Sequence, residues 1–248
     1  MQMNRYILFP IIIIILFQAP SKADMVPKNK DLIQNADMLF SKKRYTDAFA
    51  IYNSLLIKHN IYTPQSILKM AFIKEAWGEN VEALYYLNFF YEKYPEKKVF
   101  NKMKDIASKE KFDGYNYSDL EFFLNIYRNY HDEVILVIMG LIFIYFMAVA
   151  TNKLFIKAIS NSSPLFFILF LVIIFYLINF AENYINPEKA IVMKDKAILM
   201  NDASAGAKVI GTLNRGRRIT ILEEKDIWAM TNLNDKNVYV RKCNLKIN

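Results

Sequence analysis

One cysteine, Cys243, stands in 248 residues, so no disulfide can form within the chain. Its simplest role is that of a small apolar side chain, with pairing between chains the alternative. Histidine is almost as scarce. His59 and His131 are the only two and lie far apart in sequence, which reads as surface or interface use rather than a ligand pair or a base with its partner. No nucleophile–base set, metal cluster or phosphate loop is visible. The expectation is a protein that is not an enzyme, with no cofactor and no metal.

Charge is missing from two long runs, Val134 to Asn152 and Ser163 to Ala181. Each is bounded sharply, by His131, Asp132 and Glu133 before the first and by Glu182 after the second. A helix of this length covers about 28 Å, enough for a hydrocarbon core of about 30 Å when its end residues extend into the interface. Core helices of water-facing domains are rarely apolar around their whole circumference. The runs therefore predict two membrane-spanning helices, 134–152 and 163–181. The absence of ionisable residues inside them argues against an ion or proton pathway and for a plain anchor.

The link between the runs, 153–162, carries Lys153 and Lys157 and no acid. Basic short loops favour the cytoplasmic side. Residues 24–133 and 182–248 would then share the opposite side of a bacterial inner membrane. The amino-terminal block agrees: Arg5 precedes an apolar run from Tyr6 to Phe17, and Ser21 and Ala23 have the small-x-small spacing of a signal-peptidase site. Residues 1–23 read as an export signal, with an uncleaved anchor as the alternative.

From Asp31 to Pro95 the hydrophobic pattern is helical and repeats. Aligning Ala36 with Ala71 places Ala48 over Ala83, Tyr52 over Leu87 and Asn60 over Pro95, an offset of 35 residues. Small residues at these places let paired helices cross closely, where a large side chain would force them apart. Thr63 followed by Pro64 predicts a helix start, Gly78 an interhelical turn, and Pro95 the end of a unit. The spacing resembles the tetratricopeptide repeat family, with Ala71, Gly78, Ala83 and Pro95 as the better-matched set and Ala36 and Ala48 in the first unit. Residues 24–112 are assigned to these helical repeats. Residues 96–112 supply a third or capping helix with Val99, Met103 and Ile106 on one face. After the break at Asp113-Gly114, Ser118 and Glu121 predict a capping box opening a juxtamembrane helix within 113–133. Between Asp24 and Glu133 there are 16 Lys and Arg against 16 Asp and Glu, a balance without a nucleic-acid footprint.

Past residue 188 the period changes. AIVM, AILM, KVIGTL, RRITILEE, IWAMTNL and VYVRKCNLKI are short β-rich runs separated by turn residues, which favours a small all-β barrel. Asn214 to Gly216 and Asn234 to Asn237 are the expected turns. KVIGTLNRG at Lys208–Gly216, ITIL at Ile219–Leu222 and Trp228 resemble the bacterial SH3-like family. Tyr239 stands where that family has Gly-Trp. The resemblance implies Gly211, Gly216, Trp228 and Tyr239 as core or groove residues, and a peptidoglycan-binding role as one reading of the domain at 188–248. This part holds 12 Lys and Arg against 7 Asp and Glu. Arg215, Arg217 and Arg218 form its densest basic patch, suited to an anionic surface or to plain solvation.

The whole order (export signal, short repeat segment, two-span hairpin, one SH3-like module) resembles BatE-type proteins of the bacterial aerotolerance (Bat) operon. That resemblance implies a membrane-anchored adaptor or scaffold, accessory to an envelope or oxidative-stress complex. Its implied partners are membrane or periplasmic proteins, among them von Willebrand factor A-domain proteins associated with a MoxR-like ATPase. The alternative is a wall anchor gripping peptidoglycan.

Overall fold

The computed structural model describes residues 27–116, 118–155, 169–176, 188–233 and 236–247. The chain divides into two compact units, residues 1–62 and 63–248.

The first unit is a helical pair, α1 (Pro27–Ser41) and α2 (Tyr45–His59). The turn between them is short because Lys43 adopts a left-handed conformation, φ 61°, and the amides of Lys42, Lys43 and Arg44 bond back to the end of α1. Ala36 and Ala48 are completely buried. The Tyr52 hydroxyl, buried beside them in sequence register, donates to the Asp37 carboxylate across the pair. Asn60, left-handed at φ 51°, ends α2.

The second unit begins with α3 (Pro64–Ala76), α4 (Asn80–Lys93) and α5 (Lys97–Glu110). Thr63 and Ser66 cap α3 reciprocally: each side-chain oxygen accepts from the other's backbone N–H, at 3.0 and 2.9 Å, and Pro64 occupies the first turn where its missing N–H costs nothing. Gly78, at φ 76°, makes the turn into α4. From Val81 to Glu92 every residue of α4 except Glu82 is buried. An apolar circumference of this kind requires neighbours on all sides, and α4 has them: it touches α3, α5, α6 and strand β1. Helix α6 (Asp119–Asn129) follows the segment 111–118, and α7 (His131–Phe155) follows a break at Tyr130. Residues 169–176 are also helical.

Among the described residues eight strands follow: β1 (Glu188–Val192), β2 (Ala197–Met200), β3 (Val209–Leu213), β4 (Arg218–Ile221), β5 (Glu223–Lys225), β6 (Trp228–Leu233), β7 (Lys236–Arg241) and β8 (Leu245–Ile247). They form two antiparallel sheets, one in the order β4-β1-β8 and one in the order β3-β2-β7-β6-β5. Their shared core is made by alternate residues of both sheets, including Ala190, Val192, Leu199, Leu213, Ile221, Val238 and Val240. The predicted run RRITILEE breaks at Leu222, whose amide bonds Met230, so that β4 belongs to one sheet and β5 to the other. Asn214 to Gly216 does form a turn. Residues 234 and 235 of the second expected turn lie outside the described residues, and Lys236 and Asn237 already belong to β7.

Several expectations are corrected here. The first apolar run, 134–152, lies in α7, yet among the described residues no helix is long and apolar enough to cross a membrane. Of the second run, 163–181, only 169–176 is described. The rest of it, residues 156–162 of the expected link with Lys157, and the expected signal at 1–23 lie outside the described residues. The two-span hairpin, the inner-membrane location with periplasmic ends and the anchoring role are overturned by the absence, among the described residues, of a helix long and apolar enough to cross a membrane. The β region is not a closed SH3-like barrel, because each of its two sheets keeps open edge strands. The wall-binding role assigned to such a barrel falls with it. So does the resemblance to BatE-type proteins, which depended on a membrane hairpin followed by that barrel. In place of the expected multi-part membrane fold stand a helical region and two open antiparallel sheets.

Buried phenols give the second unit a pH signature. The Tyr115 hydroxyl donates to the Gly216 carbonyl at 3.0 Å. Burial pushes its pKa above the ordinary value, with the nearby Arg218 cation pulling partly back. Tyr86 is likewise raised, by burial first and then by Tyr85, Glu82 and Glu79. A phenol whose folded pKa is raised contributes stability that is intact below the unfolded value, about pH 10, and is lost as pH rises beyond it. Urea unfolding midpoints are therefore expected to fall between pH 10 and 11 more steeply for the wild type than for Tyr115→Phe. Equal slopes would contradict this assignment. At neutral pH the same substitution removes one buried hydrogen bond, about 1 kcal/mol.

Candidate functional site

Two features of the second unit are built from its sequence-distant parts: a joint that fixes the sheets to the helices, and a cleft on the helices. Arg218, at the start of β4, is the centre of the joint, its side chain 2% exposed. Its Nε donates to Asn88 Oδ1 of α4 at 2.7 Å and its Nη2 to Glu121 Oε1 of α6 at 2.6 Å. Its guanidinium also lies over the Phe100 ring of α5, 5.9 Å from the centroid. One side chain thus contacts three helices. Lys189 of β1 approaches the other Glu121 oxygen at 3.7 Å while donating to Thr220 Oγ1 at 2.7 Å. Burial lowers the Lys189 pKa, Glu121 draws it back up, and Arg218 pushes it down again. The pair of cations and one carboxylate explains why Glu121 does not complete the capping box predicted for it. Ser118 accepts the Glu121 amide at 3.4 Å, and the Glu121 carboxylate is engaged by Arg218 instead.

The segment between α5 and α6 closes the joint by shape. Lys111, left-handed at φ 58°, ends α5. The Arg218 amide then donates to the Asp113 carbonyl at 3.0 Å. Gly114, at φ 92°, sits so close that an added Cβ would lie 2.1 Å from the Arg218 carbonyl oxygen. Gly216, at φ 83°, leaves room for the Phe112 ring, which an added Cβ would meet at 2.6 Å. Further out, Arg215 pairs with Glu82 at 2.9 Å, and Lys246 of β8 stands over the Tyr85 ring at 4.0 Å and the Tyr86 ring at 5.2 Å. A cation over a ring adds about 0.5–2 kcal/mol depending on its desolvation.

The cleft, about 380 Å³, is lined by Leu68, Ala71, Phe72 and Ala76 of α3 and by Leu87 of α4. Glu75 and Lys102 also line it, and they pair across it at 2.6 Å, tying α3 to α5. Phe72 is half exposed, an unusual state for a large aromatic beside an apolar hollow.

The residues singled out from sequence are distributed between these features and the core. Ala36 and Ala48 lie in the first unit. Ala71 lines the cleft, Ala83 is buried in α4, and Gly78 and Pro95 occupy the turns at either end of that helix. Of the expected basic patch, Arg218 is withdrawn from the surface by burial and Arg215 is paired with Glu82. Trp228 is buried with the Arg241 guanidinium 5.4 Å from its ring centroid. Tyr239 is half-buried on β7, and Gly211 lies in edge strand β3. Sequence reading did not find Asn88, Glu121 as a charge partner, Phe112 or Phe72 as site residues. The one usable signal was the Asp113-Gly114 break, which marked a turn but not what it packs against.

No protein-family model matches the chain, and no curated protein is significantly similar to it.

Proposed function

We propose that the chain is a non-catalytic recognition protein that seats a segment of another protein in the cleft between α3, α4 and α5. The observation that carries this reading is the half-exposed Phe72 standing over an apolar hollow whose wall is braced by the Glu75–Lys102 pair. An apolar floor with a few fixed polar groups suits an apolar side chain of a peptide, oriented by hydrogen bonds to Glu75 or Lys102. The joint at Arg218 supports it from behind, because α4 and α5 both form the cleft region and hold the sheets, so the wall has little freedom to collapse. The balanced charge of residues 24–133 favours a protein partner over nucleic acid.

Selection of a random peptide display library against the full chain tests this. Enriched peptides are expected to share an apolar anchor, and Phe72→Glu to weaken them at least about tenfold, the size of one interface anchor worth about 1.4 kcal/mol. Phe72 is exposed enough that its replacement leaves the helical circular dichroism unchanged. Failure to enrich any common sequence, or enrichment that Phe72→Glu leaves intact, would remove the cleft from consideration.

A further inference from the structure

A second surface lies on the outer face of the five-stranded sheet and does not depend on the cleft. Cross-strand register aligns Val209 of β3, Met200 of β2, Tyr239 of β7 and Met230 of β6 in one row. The buried residues of the same strands, such as Ala197, Leu199 and Leu213, face the core, so the row lies on the side away from it. Ile198, Val209 and Ile210 are each about half exposed at the β3 end. The register shifts between Leu199 and Met200, which leaves Ile210 without a residue opposite it on β2. That shift turns Val209 and Ile210 outward together instead of burying one of them.

β3 is the edge of its sheet. Its sequence, VIGTL, holds neither the charge nor the proline with which edge strands are usually blunted. Cations stand at both ends of the strand instead. Lys208 precedes it, and Lys196, exposed beside Ala197, stands next to its far end because Ala197 is opposite Leu213. A second copy paired antiparallel about the centre of β3 would bring the Lys208 of one strand to the end of the other that Lys196 flanks. Like charges would then meet at both ends. A strand with acidic flanks meets the opposite situation.

We propose that the edge of β3, with the apolar row beside it, accepts an extended segment of a partner protein as an added strand, apolar on one side and acidic at its ends. Main-chain hydrogen bonds along Gly211–Leu213 would supply the pairing, Ile198 and Ile210 the apolar contact, and Lys196 and Lys208 the register.

The test uses the full chain and a synthetic peptide of alternating valine and threonine between aspartate ends. Three comparators accompany it: the same peptide with lysine ends, the aspartate peptide with N-methylated alternate amides, and the lysine-ended peptide against the double variant Lys196→Glu, Lys208→Glu. Fluorescence anisotropy at low salt is expected to give at least about tenfold tighter binding of the aspartate peptide than of the lysine peptide, with the preference reversed in the double variant. Amide exchange over residues 209–213 slows on binding. Ile210→Lys, and more mildly Ile210→Thr, weakens binding while exchange in the sheet interior stays as in the wild type. Equal binding of both charge forms overturns the proposal. So does full binding of the N-methylated peptide, which would mean side-chain contact without strand addition. Self-association of the chain that Ile210→Lys abolishes would assign the edge to a second copy and overturn the proposed occupant.

Discussion

Arg218→Ala is expected to lower the unfolding free energy by about 3 kcal/mol, the lower part of the range for breaking a buried ion pair. The substitution leaves Glu121 Oε1 and Asn88 Oδ1 without their guanidinium donors, and both atoms sit where α4 and α6 meet the sheets. The loss stays at the low end because Lys189, 3.7 Å from the other Glu121 oxygen, still compensates part of the charge. Arg218→Met separates packing from polarity. It keeps an apolar stem beside Phe100 but cannot bond, so a cost close to that of alanine assigns the effect to the stranded carboxylate. Adding Glu121→Gln to Arg218→Met should then recover part of the loss, as coupled neighbours do. Urea unfolding followed by circular dichroism measures all three. An alanine variant within 1 kcal/mol of wild type would mean that the joint contributes little to stability.

The second large effect is expected from Gly114→Ala. Its Cβ would meet the Arg218 carbonyl oxygen at 2.1 Å, and its φ of 92° is one that side-chain-bearing residues rarely adopt. Backbone cannot yield as the end of a flexible side chain does. The segment must move, and the 3.0 Å bond from the Arg218 amide to the Asp113 carbonyl is lost with it. Gly78→Ala is the matched control: its φ of 76° is similarly unfavourable, but nothing lies within 4 Å of the added atom. Its cost is the conformational one alone, about 1–2 kcal/mol. Gly114→Ala adds overpacking and a broken hydrogen bond, together about 2 kcal/mol or more beyond that. Thermal unfolding that ranks the two variants equal would show that the contact at Gly114 is relieved without cost.

Both predictions rest on pairings between residues about a hundred positions apart, and that separation decides what could be read in advance. Local features were open to sequence reading because their causes are local. Thr63 before Pro64 caps α3 since a hydroxyl and a missing N–H act within one turn. The period of two after residue 188 appears as strands because alternate side chains face one core. Other readings failed where a local signal has several tertiary outcomes. Ser118 and Glu121 have the spacing of a capping box, but the carboxylate binds Arg218 more strongly than it could bind one exposed amide. Three nearby arginines in the sequence suggested a cationic patch, whereas Arg218 is buried against Asn88 and Glu121 and Arg215 pairs with Glu82. Six β-rich runs suggested a barrel. The tertiary structure instead divides one of those runs at Leu222, leaving β4 in one open sheet and β5 in the other.

The cleft was half legible. Ala71 was marked as a small residue at a helix crossing, and it lines the hollow that its smallness leaves. Phe72 carries no periodic signal of its own, since an exposed aromatic on a helix becomes meaningful only when the neighbouring surface is known to be concave.

What the amino-acid order determined alone is the local ledger of this protein: where helices start and stop, where the strand period begins, which small residues permit close crossings, and that no internal disulfide holds it. What only the tertiary structure decided is that a strand arginine, a helix asparagine and a second helix's glutamate meet in one buried joint, and that two glycines make room for it. The reason is physical. Caps, turns and periodicities are set by interactions over a few bonds, whereas a buried charge selects its partners from whatever the folded chain brings within about 3 Å, and that is a property of the whole packing.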